Sequence, residues 1–273
     1  MTRRAVLAVV AALSLAAQAE GLVAFVADLK GNSTIEGDGN VAFLAELAAG
    51  TRLLLGSNAT LSVTYAATGY EFTLTGPGEF LVAPAEVRAE KGAPPKRRTI
   101  TALPDPGVVA RVSRTATASV RMRGITDKGR SKPFLEFPVD TRISTLQPVL
   151  RWKNGPRAEG ITVSMVDASG KEMWKADGAP ESARTPVRLA PATVYRWTLT
   201  SPAGALGEAT FETLPASVLE KVAKSRAVAR TFSDRVILAL LLHDLGATQE
   251  AHEAWSALAR ERPDLPQLSA LAR

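Results

Sequence analysis

The sequence predicts a mainly β protein that ends in an α-helical hairpin, and three observations carry that prediction. Leu61, Val63 and Tyr65 alternate with Ser62 and Thr64, the period of a strand with one buried face. Similar short runs recur about every 8–12 residues between glycine- and proline-rich turns, as expected of a small sandwich, barrel or solenoid. After Pro215 the apolar spacing lengthens to that of helices.

The N-terminus is a segment apart. Arg3 and Arg4 precede an apolar run from Ala5 to Leu15, broken only by Ser14, and Ala17-Gln18-Ala19 supplies small residues for cleavage. This is the anatomy of a secretory signal peptide over residues 1–19, cut after Ala19. The run is too short to span a bilayer, which takes about 20 apolar residues. No later run is long and apolar enough either, so no transmembrane segment is expected in the mature chain. The expected location is the periplasm. Formal net charge is +6 and falls to +4 without the two signal arginines, which gives no argument for nucleic acid as a partner. The absence of cysteine removes disulfides and thiolate chemistry, so each domain must bury its own core.

Residues 20–84 read as the first β domain. Leu22 to Val26 is a compact apolar run, Gly31 and Gly37-Asp38-Gly39-Asn40 mark turns, and Phe72, Leu74, Phe80 and Val82 continue the alternation around Gly76-Pro77-Gly78. Leu47, Gly50, Leu53 and Gly56 form an L-x-x-G-x-x-L-x-x-G step. Asn58 to Val63, Thr68 to Leu74 and Gly76 to Phe80 follow it. In these residues the segment resembles the periplasmic FecR-type domain. That family includes sensors relaying a signal from an outer-membrane transporter to a cytoplasmic sigma factor, a role that needs a membrane-crossing helix. The resemblance therefore implies the domain fold rather than direct transmembrane signalling, and it brings no catalytic residues.

Residues 85–132 read as a basic linker with edge strands. Twelve Lys and Arg face four Asp and Glu, and Val120 and Met122 alternate with Arg121 and Arg123, which predicts one or two strands between Val108 and Met122. Arginines on edge strands discourage aggregation. The sharper expectation is a strip for an anionic partner, formed by Arg97, Arg98, Arg111, Arg114, Arg121 and Arg123.

Residues 133–215 return to short strands. Pro148, Leu150 and Trp152 form P-x-L-x-W, Leu189 to Trp197 form L-x-P-x-T-x-Y-x-W, and Phe211 lies in a final F-x-T strand. This pattern resembles a fibronectin type III or immunoglobulin-like sandwich, which implies that its tryptophans are core residues rather than a carbohydrate platform. In residues 216–273 a first helix is expected from Ala216 to Phe232, a second capped by Asp234, and a third from Gln249 to Glu261. Leu238, Leu242, Gly246, Ala251, Trp255, Leu258 and Pro263 resemble one tetratricopeptide unit, with Thr248 where an aromatic residue is usual. A single unit must pack on something else, since solenoids need about three repeats.

No phosphate loop, nucleophile elbow or zinc spacing occurs, and His243 and His252 lack neighbours at metal-ligand spacing. The expectation is therefore a protein that is not an enzyme and carries no cofactor. It is an exported adaptor or sensory scaffold acting by contact with an envelope protein. The alternative is a cell-envelope ligand binder, holding peptidoglycan or lipopolysaccharide, with cell-wall or anionic-lipid contact through the basic strip.

Overall fold

The computed structural model describes residues 22–100, 103–121, 135–153, 160–178 and 181–273. The expected signal peptide lies outside them. The structure is mainly β, with two pairs of sheets and a C-terminal helical region.

The first ten strands are β1 (Leu22–Lys30), β2 (Ser33–Ile35), β3 (Gly39–Asn40), β4 (Glu46–Ala48), β5 (Arg52–Leu55), β6 (Thr60–Tyr65), β7 (Tyr70–Thr75), β8 (Gly78–Val82), β9 (Val87–Lys91) and β10 (Lys96–Thr99). They form two five-stranded sheets, ordered β10-β7-β6-β1-β4 and β3-β2-β5-β8-β9. Leu47, Leu53, Leu61, Val63, Tyr65, Leu74, Phe80 and Val82 fill the space between them. The Leu47–Gly56 step becomes β4, a turn with Gly50 at φ +91°, and β5. At Gly76 the chain passes so close to Gly56 that an added Cβ would lie 2.1 Å from the Gly56 carbonyl oxygen, so no other residue fits. The buried Tyr65 hydroxyl shares its proton between the carbonyls of Ala83 (2.9 Å) and Glu86 (2.6 Å), which ties down the turn before β9. Burial, together with the Glu86 carboxylate, pushes this phenol's pKa up.

β1 explains how this domain joins the rest. Its apolar run is buried on both faces, as an unalternating strand requires. Ala24 and Val26 point into the domain's own core, whereas Phe25 and Ala27 enter a second core shared with the helices.

Edge strands do occur in the 85–132 segment, since β9 and β10 are the outermost strands of the two sheets. The strands expected between Val108 and Met122 do not form: Pro106–Arg121 is a helix, α1. Val108, Val109, Val112 and Ala116 fall on one helical stripe and are all buried, and that periodicity outweighs the strand propensity of Val and Thr.

The second β domain comprises β11 (Leu135–Phe137), β12 (Thr141–Ile143), β13 (Val149–Trp152), β14 (Thr162–Asp167), β15 (Glu172–Asp177), β16 (Ser182–Arg184), β17 (Val194–Ser201) and β18 (Gly204–Thr213). One sheet is β11-β13-β16 and the other β12-β18-β17-β14-β15, with β12 parallel to β18. The consecutive strands β11 and β12 thus lie in different sheets. Trp152, Trp197 and Tyr195 are core residues and Trp174 packs at the core's margin. Trp197 donates its indole N–H to the Pro138 carbonyl at 2.7 Å. The Tyr195 hydroxyl accepts from the Ala190 N–H at 2.9 Å.

The C-terminal helices are α2 (Ala216–Val228), α3 (Phe232–Asp244), α4 (Thr248–Glu261) and α5 (Pro266–Leu271). The first helix ends four residues earlier than expected, and Phe232 begins α3 instead. Thr231, not Asp234, is the N-cap; Asp234 is the third helical residue of a capping box. Short α5 has no counterpart in the sequence reading. Ala251, Trp255 and Leu258 face inward as the repeat spacing predicts, and their core also takes in Phe25, Phe43, Leu44, Val108 and Val112. The α3–α4 hairpin packs on α1, α2, α5 and β1.

Candidate functional site

The helical hairpin is pinned to both β domains by charged and polar groups, and the candidate site lies along one of these seams. On the side of the first domain, β10, β7, β6 and β1 align Arg98, Glu71, Thr64 and Phe25 in one rung beneath the helices. Glu71 is only 3% exposed at its side chain, and it accepts from Arg98 Nε at 2.7 Å and from Thr64 at 3.4 Å. The same guanidinium donates Nη1 to Asp234 (2.6 Å) and Nη2 to Ser233 (2.9 Å) and Thr231 (3.3 Å), so one arginine grips the N-terminus of α3. Burial opposes the charge on both Arg98 and Asp234. Their hydrogen bonds outweigh it, raising the arginine's pKa and lowering the aspartate's. Arg262, after α4, makes a second grip: it reaches Asp28 (2.7 Å) and the Leu29 carbonyl (2.6 Å) in β1, lies 5.2 Å from the Phe232 ring, and pairs with Asp264. The bonds from Arg262 hold Asp264 below the usual carboxylate pKa.

The seam with the second β domain is more open. Gly246, at φ +76°, turns α3 into α4 and offers its carbonyl to the Arg142 N–H of β12 at 3.1 Å. The Gln249 amide then works as a piece of strand: Oε1 accepts from the Val139 N–H and Nε2 donates to the Glu136 carbonyl, both at 2.7 Å. Glu250, 9% exposed, accepts from the Ser144 N–H (3.0 Å), the Ser144 hydroxyl and Arg226 (3.0 Å). Above these contacts runs a cleft of about 690 Å³, lined by Glu136, Phe137, Arg151, Thr248, Gln249, His252 and Glu253. Arg151 bridges it to Glu253, and beyond that bar a second lobe of about 440 Å³ continues toward Gln147, Arg226 and Leu238. The walls are neutralised pairwise, because Lys153 meets Glu136 (2.6 Å), Arg151 meets Glu253, and Arg226 meets Glu250. The guanidinium of Arg151 covers the Phe137 ring at 4.7 Å.

Such a cleft offers hydrogen-bonding groups and a covered aromatic ring to a ligand, with its carboxylates engaged by cations. Among the described residues no group of three His, Cys, Asp or Glu is placed to hold a metal ion. Among them too, no helix is long and apolar enough to cross a membrane.

The six arginines expected to form one anionic-partner strip are put to different uses. Arg98 turns inward to Glu71 and Asp234, and Arg97 lies over the Tyr70 ring at 4.8 Å. Arg111 and Arg114 are exposed on α1, and Arg111 is 3.7 Å from Asp244. Arg121 is the last residue of α1, and Arg123 lies outside the described residues. Sequence reasoning missed Gln249 and Glu250, whose partners in the second β domain lie more than 100 residues upstream; adjacent polar residues at the start of the expected third helix were the available signal.

No protein-family description and no curated protein matches this chain. Among solved structures, the crystal structure of CopC from Methylosinus trichosporium OB3b is similar over 30% of this chain and 94% of that one. The two are 18% identical with a TM-score of 0.24, a likeness too slight to argue from.

Proposed function

We propose that this protein is an exported, non-enzymatic scaffold that acts by protein–protein contact in the cell envelope, and that its partner is received in the cleft between α4 and the second β domain. The observation that carries this reading is the placement of the helical hairpin. Its apolar face is committed to the shared core, while Thr248, Gln249, His252 and Glu253 of α4 form one wall of an open groove. The sequence features support it from outside the described residues, through the signal-like N-terminus. Further support comes from the FecR-like steps of the first domain, the fibronectin-like motifs of the second and the tetratricopeptide-like spacing of the hairpin, a unit type that generally binds proteins.

Site-specific photocrosslinking in intact cells tests it. A crosslinker at exposed His252 should give a discrete adduct that is absent when the crosslinker sits at Asp38, on a turn of the first β domain. Equal adduct patterns from the two positions, or none from His252, would overturn the cleft as the partner site.

A further inference from the structure

We propose that the outer face of α1 is a docking surface for an anionic phospholipid bilayer. This goes beyond the cleft reading and does not depend on it. The helix is sharply two-sided: Val108, Val109, Val112 and Ala116 are fully buried, while Arg111, Arg114 and Thr115 are exposed. Helical periodicity places positions 111, 114, 118 and 121 on one stripe, and three of those four are arginine. From 111 to 121 the stripe runs about 15 Å at 1.5 Å per residue. The sixteen residues of α1 contain no Asp or Glu, and among the described residues Asp244 lies 3.7 Å from Arg111.

The form of the surface selects the partner. A protein interface takes its affinity from large apolar or aromatic anchors. The exposed large hydrophobic residues of the described chain are Leu54, Val194 and Val228, none of them on α1. A straight row of guanidinium groups needs no such anchor to meet a plane of phosphates, which it binds through paired N–H donors. Val108, Val109 and Val112 are already buried in the protein core, so they are not free to insert. Binding is therefore peripheral and electrostatic, and it falls with salt as the Debye length shrinks to about 3 Å at 1 M.

The test is cosedimentation of the exported, full mature chain with vesicles, either pure phosphatidylcholine or containing phosphatidylglycerol. An arginine near an anionic surface contributes about 1 kcal/mol, or about fivefold in partition. Arg111→Gln with Arg114→Gln should therefore weaken binding to phosphatidylglycerol vesicles about 25-fold. Lys175→Gln with Arg184→Gln removes the same charge from exposed positions on the second β domain and should leave binding within about threefold. Unchanged urea unfolding of both variants shows that the fold is retained. The proposal is overturned if the wild-type protein does not prefer phosphatidylglycerol, or if the control pair loses as much as the α1 pair. It is also overturned if binding survives 1 M salt, or if the chain ignores vesicles but is retained on immobilised polyglutamate, which would make the partner an acidic protein.

Discussion

Removing the Arg98 guanidinium while keeping most of its bulk, as Arg98→Met, is the sharpest test of how the helices are held. Glu71 would then be left at 3% side-chain exposure with only the Thr64 hydroxyl, and α3 would lose three bonds at its N-terminus. Breaking a fully buried ion pair costs about 3–5 kcal/mol. Arg98 itself is 35% exposed, so water screens part of its attraction, and about 2 kcal/mol is the expected loss. With a urea slope of about 2–3 kcal/mol/M, that loss lowers the unfolding midpoint by about 0.7–1 M. Adding Glu71→Gln removes the stranded charge, so the double variant should regain about 1 kcal/mol over Arg98→Met alone. Chemical denaturation of the four proteins of this cycle measures both quantities. The reasoning is refuted if Arg98→Met lies within 0.5 kcal/mol of the wild type, or if the double variant is no more stable than the single.

Truncation at Pro215 should abolish cooperative unfolding of the first β domain, since it strips the helices from Phe25, Phe43, Leu44 and Val108; a wild-type midpoint for the truncated chain would contradict this. Phe43→Ala removes a ring 3% exposed and packed 6.3 Å from that of Phe232, and should cost about 3–4 kcal/mol in urea unfolding. Thr231→Ala removes the N-cap of α3 and should cost about 1 kcal/mol, read in the same way. Asp234 and Asp264 have folded pKa values below their ordinary one. Their contribution is therefore complete above about pH 4, near the unfolded value, and is lost as pH falls further, so stability measured from pH 6 down to 2 should decline below pH 4.

How much of this was legible in the sequence depends on whether the signal was local. The alternation of Leu61, Val63 and Tyr65 and the tryptophan motifs of the second domain identify strands because each reports its own buried face. The burial of β1 on both sides is written in its unbroken apolar run, although what covers the second side is not. α1 was misread because Val120-Arg121-Met122-Arg123 mimics a strand, while the helical stripe of Val108, Val109, Val112 and Ala116 lies four to twelve positions earlier. The expected anionic strip fails at Arg98 for a different reason. Its partners Glu71 and Asp234 are 27 and 136 residues away, and nothing local distinguishes an arginine that will be gripped from one that will stay free. The roles of Gln249 and Glu250 were hidden for a similar reason, since Val139, Glu136 and Ser144, which they bond, belong to another domain.

The most direct measurement of the scaffold reading is the native size of the protein extracted mildly from envelope fractions, with and without His252→Trp, which fills the cleft from its exposed α4 wall. The account predicts a complex well above the mass of the free chain for the wild type, and its collapse to the free chain in the variant. A partner-free monomer in both, or an equally large complex in both, would contradict it.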